Sequence, residues 1–398
     1  HEPLFHRPVG LARQPRREIL CGDRLVKSGP VSALLAFCAT GAHESKPPRI
    51  VDRPAKIANM SIVKIGHFEV NLGRKLGEGG FGAVYRAKDT SQDPPAECAA
   101  KQVKYEKDAG QRAATEREAA FLRKVGAHNS IIGLFGLEIV DGHENAACKK
   151  SAWIFMEIAT GGELFDRLID SGSLTEKAVR PYFAALLSGV GAMHAAGVVH
   201  RDLKLENVML CAEDPRAVKI VDFGLAVDYA AGQLFREKVG SKSYRSPEIL
   251  AGAGYEGPPA DVWALGIVIF SLAAGFFPLD EARSTDWRFA RLAQEQAKQV
   301  GACDAIFAMY KRACPFTQDF KAMLDGMLTI DPKKRATVAG LSENRWLETP
   351  KIGAQGEYDD DGVVYRSLGG GDDDEARPPL QLDEMMPTIG RQRAGCLE

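Results

Sequence analysis

Hydrophobic and polar positions change their rhythm along this chain. From Ala83 to Lys88 they alternate, with Ala83, Tyr85 and Ala87 on one side and Val84, Arg86 and Lys88 on the other. A period of two predicts a strand. Cys98 to Val103 repeats that period and sets Lys101 on the same side as Ala99 and Val103. Further on, Ala178, Val179, Tyr182, Phe183, Leu186, Val190 and Met193 recur at helical spacing, and Val262 to Leu272 is apolar nearly all round. The first pattern predicts an amphipathic helix, the second a helix buried on every side. Phe68 to Glu157 therefore reads as short strands with one helix, and the chain from Gly161 onward as mainly helical. The class is α+β, with a small β lobe at about 68–157 and a larger helical lobe at about 160–347, a size that accommodates two lobes.

The flanks lack this patterning. His1 to Asn59 carries ten Lys/Arg against five Asp/Glu and seven prolines, and reads as a basic, disordered extension. Its longest apolar run, Val31 to Thr40, is too short to span a bilayer, and the polar stretch before it is long for a secretory leader. Patterned sequence begins just after Met60, which is an alternative start. Lys351 to Glu398, with eleven Asp/Glu against five Lys/Arg, reads as a solvated acidic tail. The expected domain is thus 60–350.

Composition narrows the function classes. At 45% hydrophobic and 26% charged the chain is ordinary globular material, and a formal net charge of −2 supplies no basic footprint for nucleic acid. The eight cysteines form no CxxC or Cys/His cluster. Reduced thiols in a cytoplasmic or nuclear setting are expected, rather than a disulfide scaffold or zinc site.

The candidate chemistry starts at Gly77-Glu78-Gly79-Gly80-Phe81-Gly82. A dinucleotide-binding glycine loop opens a helix, whereas this one is followed by the alternation of Ala83 to Lys88. No Lys-Ser/Thr follows Gly82, which excludes a Walker loop. Strand, glycine loop and strand leave backbone amides to cover phosphates, with Val84 against a base. Lys101 on an inward face needs an anionic partner, because an unpaired buried ammonium deprotonates. Of two glutamates on the following helix, Glu118 shares a face with Leu122 and Val125, while Glu116 points outward with Arg123. Glu118 is the expected partner. His200-Arg201-Asp202-Leu203-Lys204-Leu205-Glu206-Asn207 crowds ionisable and polar side chains after an apolar helix, and a strand at Val218 to Val221 delivers Asp222-Phe223-Gly224. Asn207 and Asp222 together offer the hard oxygens that Mg²⁺ prefers.

In order and spacing these motifs resemble the protein kinase family, over about Phe68 to Leu347. Ser246-Pro247-Glu248, Asp261-Val262-Trp263 and Arg335, which in the family pairs with the glutamate at Glu248, complete the match. The resemblance implies the bilobal kinase fold and the cofactors ATP and Mg²⁺. It also implies a serine/threonine protein kinase that transfers the γ-phosphoryl group to protein hydroxyls. It makes Asp202 the residue that accepts or orients the substrate hydroxyl, and Lys204 the one that steadies the transferring group and favours Ser/Thr over Tyr. Lys101, held by Glu118, grips the α/β-phosphates, and Asn207 and Asp222 hold the metal. Gly77, Gly79, Gly82, Val84, Ala99, Met156, Glu157 and Ile158 line the nucleotide, the last two as the hinge. Glu163 serves either the ATP ribose or, with Glu206 and Ser241, the substrate, the glutamates receiving arginines upstream of the phosphosite. The run Thr160 to Phe165 resembles the calcium/calmodulin-dependent kinase group. The acidic segment after Leu347 lacks a calmodulin target's basic amphipathic helix, so no regulator is assigned. Leu225 to Val239 contains no Ser or Thr, and Glu237 stands where the family often has a phosphorylated residue. Glu237 is therefore expected either to pair permanently with Arg201, with no loop phosphorylation needed, or to face solvent. The alternative is an ATP-binding scaffold without catalysis. The presence of Lys101, Asp202 and Asp222 argues against it.

Overall fold

The computed structural model describes residues 61–348 apart from 80, 81, 107, 213 and 215. The basic extension and the acidic tail lie outside the described residues. The small lobe is a six-stranded antiparallel sheet in the order β1-β2-β3-β4-β6-β5, formed by β1 (Ile62–Ile65), β2 (Phe68–Gly79), β3 (Gly82–Asp89), β4 (Ala96–Lys104), β5 (Leu134–Val140) and β6 (Ser151–Met156). One helix, α1 (Ala109–Val125), crosses it.

Alternation decides which side each strand residue serves. Cys98 and Ala100 of β4 join Trp153 and Phe155 of β6, with Val63, Ile65, Phe68, Val70 and Ala87, in one apolar cluster. The Phe68 and Phe155 rings stack there at 3.7 Å. The intervening Ala99, Lys101 and Val103 take the opposite face, toward α1, whose Glu118 meets Lys101. Both faces of β4 and β6 are covered, which is why Ser151 to Phe155 is buried at every position. β1 lies ahead of the expected lobe boundary at Phe68. Four residues with two buried valine and isoleucine side chains are too short a pattern to separate from a loop by periodicity alone.

The large lobe has the all-round apolar helix at its centre. α2 (Leu164–Ser171), α3 (Glu176–Ala195), α4 (Pro247–Ala251), α5 (Gly257–Ala274), α6 (Trp287–Ala297), α7 (Ala302–Met309), α8 (Gln318–Met327) and α9 (Val338–Ser342) are its described helices. α5 is the one described helix long and apolar enough to cross a membrane, and 83% of it is buried in this core. The stripe of α3 packs on it, with Val179, Tyr182, Phe183, Leu186, Val190 and Met193 buried. The stretch from Asp280 to Pro315, which no motif explained, supplies α6 and α7.

Two short strand pairs frame the polar loops. β7 (Val198–Val199) pairs with β10 (Val227–Asp228), and β8 (Val208–Leu210) with β9 (Val218–Ile220), both antiparallel. β-branched residues hold these pairs, so residues 200–207 and 221–226 emerge side by side from the same small scaffold. Backbone bonds from Ile132 N–H to Ile220 O (3.0 Å) and from Ile220 N–H to Ser130 O (2.8 Å) fasten it to the segment before β5.

Candidate active site

The lysine on β4 and the aspartate after β9 meet across the cleft. Lys101 Nζ donates to Glu118 Oε1 and Oε2 at 2.7 and 3.0 Å and to Asp222 Oδ1 at 3.3 Å. Glu116, the competing glutamate, instead accepts from Arg112 one turn earlier on the helix surface. Burial opposes charge on Lys101, but the two carboxylates outweigh it and keep the ammonium above its usual range. Burial likewise opposes charge on Asp222, yet Lys101 and the nearby His200 hold its carboxyl below the usual range. Asp222 adopts φ +64° and Arg201 φ +65°, a left-handed backbone that L residues rarely occupy. Both strained positions fall in the two polar loops, where such strain concentrates in functional sites.

A second cluster surrounds Asp202. Its Oδ1 accepts from the Ser241 N–H at 2.7 Å and the Ser241 hydroxyl at 2.9 Å. Its Oδ2 lies 3.0 Å from Lys204 Nζ and accepts from Asn207 Nδ2 at 3.2 Å. Lys204 also donates to Ser241 Oγ at 2.9 Å, so lysine, serine and aspartate form a closed ring of contacts. Gly240, just before, has φ +92°, and a Cβ there would meet Arg201 O at 2.5 Å. Only glycine lets these two segments approach so closely. The Asn207 amide turns its NH₂ to Asp202, bonding the backbone O as well at 2.9 Å, which leaves its carbonyl oxygen as the donor for a cation. Asn207 and Asp222 thus present hard oxygens, a donor set that fits a divalent metal completed by phosphate oxygens. Among the described residues no group of three or more His, Cys, Asp or Glu could hold a metal by itself.

The positions expected to line a nucleotide fall in register along the strands. Val84 pairs with Lys101, Ala99 with Met156, and Gly79 with Gly82. Gly82 has φ +138°, and a Cβ there would strike Gln102 O at 1.9 Å. Residues 80 and 81 of the loop lie outside the described residues. Glu157 donates its N–H to Gly133 O at 2.8 Å, so it can offer a base only its carbonyl. Its carboxylate takes Lys219 at 2.9 Å and the Gly133 N–H at 3.1 Å, which fastens the segment next to Ile158 to β9. Glu163 stands immediately before α2 and bridges to Met209 of β8.

The remaining expected residues sit beside Asp202. Arg201 Nη1 donates to Glu237 Oε2 at 3.4 Å, and Arg201 Nε donates to Leu225 O at 2.9 Å. The arginine is 9% exposed and the glutamate 63%. Hydrogen bonds from its own N–H and that of Arg236, together with the arginine charge, hold Glu237 below the usual carboxylate range. Glu206 accepts from the buried Tyr244 hydroxyl at 3.0 Å, and burial pushes its carboxyl up.

Asp261 organises both loops, and it was marked by sequence only as part of a motif. It is buried at the head of α5 and accepts from the N–H groups of His200 and Arg201 at 2.9 Å each, and from His194 Nε2 at 2.9 Å. Its signal was a lone carboxylate opening an apolar run. Tyr244 and Lys219 had no comparable signal, because a single tyrosine or an alternating lysine is ordinary in loops and strands.

Two lobes place the parts of a phosphotransferase around one cleft, and that is the class of domain present. Residues 70–347 match the protein kinase domain family profile. The chain belongs to the protein kinase family. It is 34% identical over 333 residues to CBL-interacting protein kinase 19 of Oryza sativa subsp. japonica, covering 80% of this chain and 57% of that protein. It is 32% identical over 329 residues to CBL-interacting serine/threonine-protein kinase 1 of Arabidopsis thaliana, covering 77% and 66%. CBL-interacting serine/threonine-protein kinase 17 of Arabidopsis thaliana is 35% identical over 317 residues, covering 76% and 64%. The chain thus aligns with a little over half to about two thirds of each of these proteins.

Proposed function

We propose that this chain is a serine/threonine protein kinase that transfers the γ-phosphoryl group of Mg²⁺-ATP to Ser or Thr hydroxyls of protein substrates. One observation carries the reading: a hydroxyl, that of Ser241, already sits 2.9 Å from Asp202 Oδ1 and 2.9 Å from Lys204 Nζ. The carboxylate is therefore oriented to take a proton from an alcohol, with a cation beside it. Asp202 accepts the substrate hydroxyl and receives its proton as the new O–P bond forms. Lys204 neutralises charge next to that bond. Lys101, fixed by Glu118, presents its ammonium to the α/β-phosphates. Mg²⁺ held by Asn207 and Asp222 would neutralise phosphate charge when bound. Positioning and charge neutralisation do most of the work in such a site.

Radiolabelled γ-phosphate transfer to a Ser-containing basic peptide tests the reading, beside Asp202→Asn. We expect the parent to transfer phosphate and the variant to lose about 10²–10⁴-fold in kcat, the usual worth of a positioned base. Equal rates in the two proteins would overturn it.

Substrate choice follows from Glu163 and Glu206, whose carboxylates suit guanidinium groups. A peptide library should show enrichment of Arg upstream of the phosphosite, and a flat profile would exclude this preference. Glu237 acts as a permanent partner for Arg201, in place of a phosphorylated residue. One carboxylate charge makes a weaker clamp than phosphate, in keeping with its exposure. Glu237→Gln should lower kcat while phosphatase treatment of the parent leaves activity intact. Loss of activity on dephosphorylation would sink the clamp.

The five described cysteines are free thiols, which supports a reducing, cytosolic or nuclear compartment. The relatives' names record interaction with CBL, a property of those proteins.

A further inference from the structure

The segment that carries Ser241 to Asp202 is strongly basic. From position 236 to 245 it holds Arg236, Lys238, Lys242 and Arg245 against one acid, Glu237. That acid is engaged by Arg201 and by the Arg236 N–H. Arg236, Lys238 and Lys242 are exposed, and among the described residues no carboxylate meets their side chains. Arg245 is half-buried. Its Nε donates to Gly240 O at 2.6 Å, while its two terminal nitrogens have no partner among the described residues.

Arg245 lines a crevice together with Arg201, Asp202, Gly240, Ser241 and Tyr244. Asp261 also borders it, so two carboxylates lie near the guanidinium, and both are occupied. Ser241, Lys204 and Asn207 take Asp202. His194 and the N–H groups of His200 and Arg201 take Asp261. Ile249 of α4 lines the crevice too, and a Cβ at Gly252, which ends that helix, would meet Lys238 Cε at 3.2 Å. Lys238 therefore lies against the helix that helps to form the crevice. A planar guanidinium with free terminal nitrogens matches a carboxylate through paired, charge-assisted bonds. Partial burial strengthens such a pair relative to one in open water.

We propose that Arg245, with Lys238 and Lys242 adding positive charge, selects protein substrates that carry a carboxylate side chain immediately after the phosphorylated Ser or Thr. The inference rests on the kinase reading above and deepens it. The Ser241 hydroxyl marks where an alcohol meets Asp202. Successive residues are about 3.8 Å apart, so a neighbour of the target residue reaches a crevice that Asp202 itself borders. Glu163 and Glu206 are assigned to arginines upstream, which leaves the cationic crevice to the downstream neighbour. The preferred substrate is thus basic before its hydroxyl and acidic directly after it.

The test uses the full chain and serine peptides with one upstream Arg, identical except for Glu, Ala or Lys directly after the serine. We expect kcat/KM to be about 10-fold higher for the Glu peptide than for the Ala peptide, close to the worth of one charge-assisted hydrogen bond. The Lys peptide should be the poorest of the three. Equal transfer to all three would overturn the inference and leave the kinase reading standing. No transfer to any of them would overturn the kinase reading and this inference with it. Arg245→Met should bring the Glu-to-Ala ratio close to 1, chiefly by raising KM for the Glu peptide. The ratio compares two peptides on one protein, so a general loss of active enzyme cancels from it. Lys242→Glu changes an exposed side chain and tests the same charge even where Arg245→Met fails to fold. The ratio should fall there too, and a ratio unchanged in Lys242→Glu would overturn the assignment.

Discussion

Lys101 and Glu118 have side chains 13% and 7% exposed, and each is tolerable at that depth because the other is there. The pair also sets the ammonium in front of Asp222, so one contact serves both stability and the proposed nucleotide site. Lys101→Met removes the cation and strands a buried carboxylate, which should cost about 3–5 kcal/mol near neutral pH. Glu118 then lowers the cost by taking a proton, its folded pKa lying above its unfolded one. The sign follows from linkage: a raised carboxyl favours folding at low pH, and that gain is lost as pH rises through the folded value. Urea unfolding at about pH 5.5 and about pH 7.5 should therefore show the larger deficit at the higher pH. Equal deficits would mean that Glu118 stays ionised or finds another partner.

At the scale of elements, two buried charges pin loops onto α5. Arg335 uses all five of its N–H donors. It bonds Glu248 bidentately at 2.6 and 2.9 Å, Pro259 O at 2.8 Å, Thr329 O at 2.9 Å and Ile330 O at 3.1 Å. Its guanidinium also lies 5.1 Å from the Trp263 ring centre. Arg335→Met should cost about 3–5 kcal/mol, since Glu248 is left without its fork. For a domain of this size that is a fall in Tm of about 5–8 °C by calorimetry. Asp261 does the same for the catalytic loop. Burial opposes its charge, but the His194 hydrogen bond, the nearby His200 and the loop's N–H donors hold its carboxyl below its ordinary value of 3.8. A lowered carboxyl adds stability above the unfolded pKa, and that stability is lost as pH falls through the folded value. Asp261→Asn should lose one charged hydrogen bond, about 1.5–3 kcal/mol near neutrality. Its stability should also depend less steeply on pH below about pH 5 than the parent's. Chemical denaturation across that range measures the slope, and parallel slopes would contradict the assignment.

Across the whole molecule, the sequence was legible wherever one periodicity had one meaning. The alternation at Ala83 to Lys88 placed β3, the stripe at Val179 to Met193 placed α3, and the unbroken apolar run placed α5. Chemistry was legible where residues sit on a framework with a fixed period, as with Glu118 rather than Glu116. It was not legible where the chain has no period. The Ser241 bonds to Asp202, the Tyr244 bond to Glu206 and the Lys219 bond to Glu157 depend on loop paths that tertiary packing sets.

The cleft itself is a whole-molecule property, since its charges come from both lobes. Lys101 belongs to the small lobe, while Asp222, Asn207 and Asp202 belong to the large one, and Lys101 with Asp222 is a charged contact across the cleft. A nucleotide that engages both sides adds contacts to the folded chain that the unfolded chain lacks. Mg²⁺-ATP at about 100 times its Kd should then stabilise the protein by about 2.7 kcal/mol and raise Tm accordingly. In the proposed site Asn207 and Asp222 hold the cation, so EDTA should remove most of that shift. Asp222→Ala should remove it even with Mg²⁺ in excess. Asp202→Asn should keep the shift while losing turnover, because Asp202 bonds Ser241 and makes no contact with Lys101, the residue proposed to hold the phosphates. Differential scanning fluorimetry with and without EDTA separates these cases. A full shift in Asp222→Ala would place the metal elsewhere and mean that the nucleotide does not join the lobes through this contact.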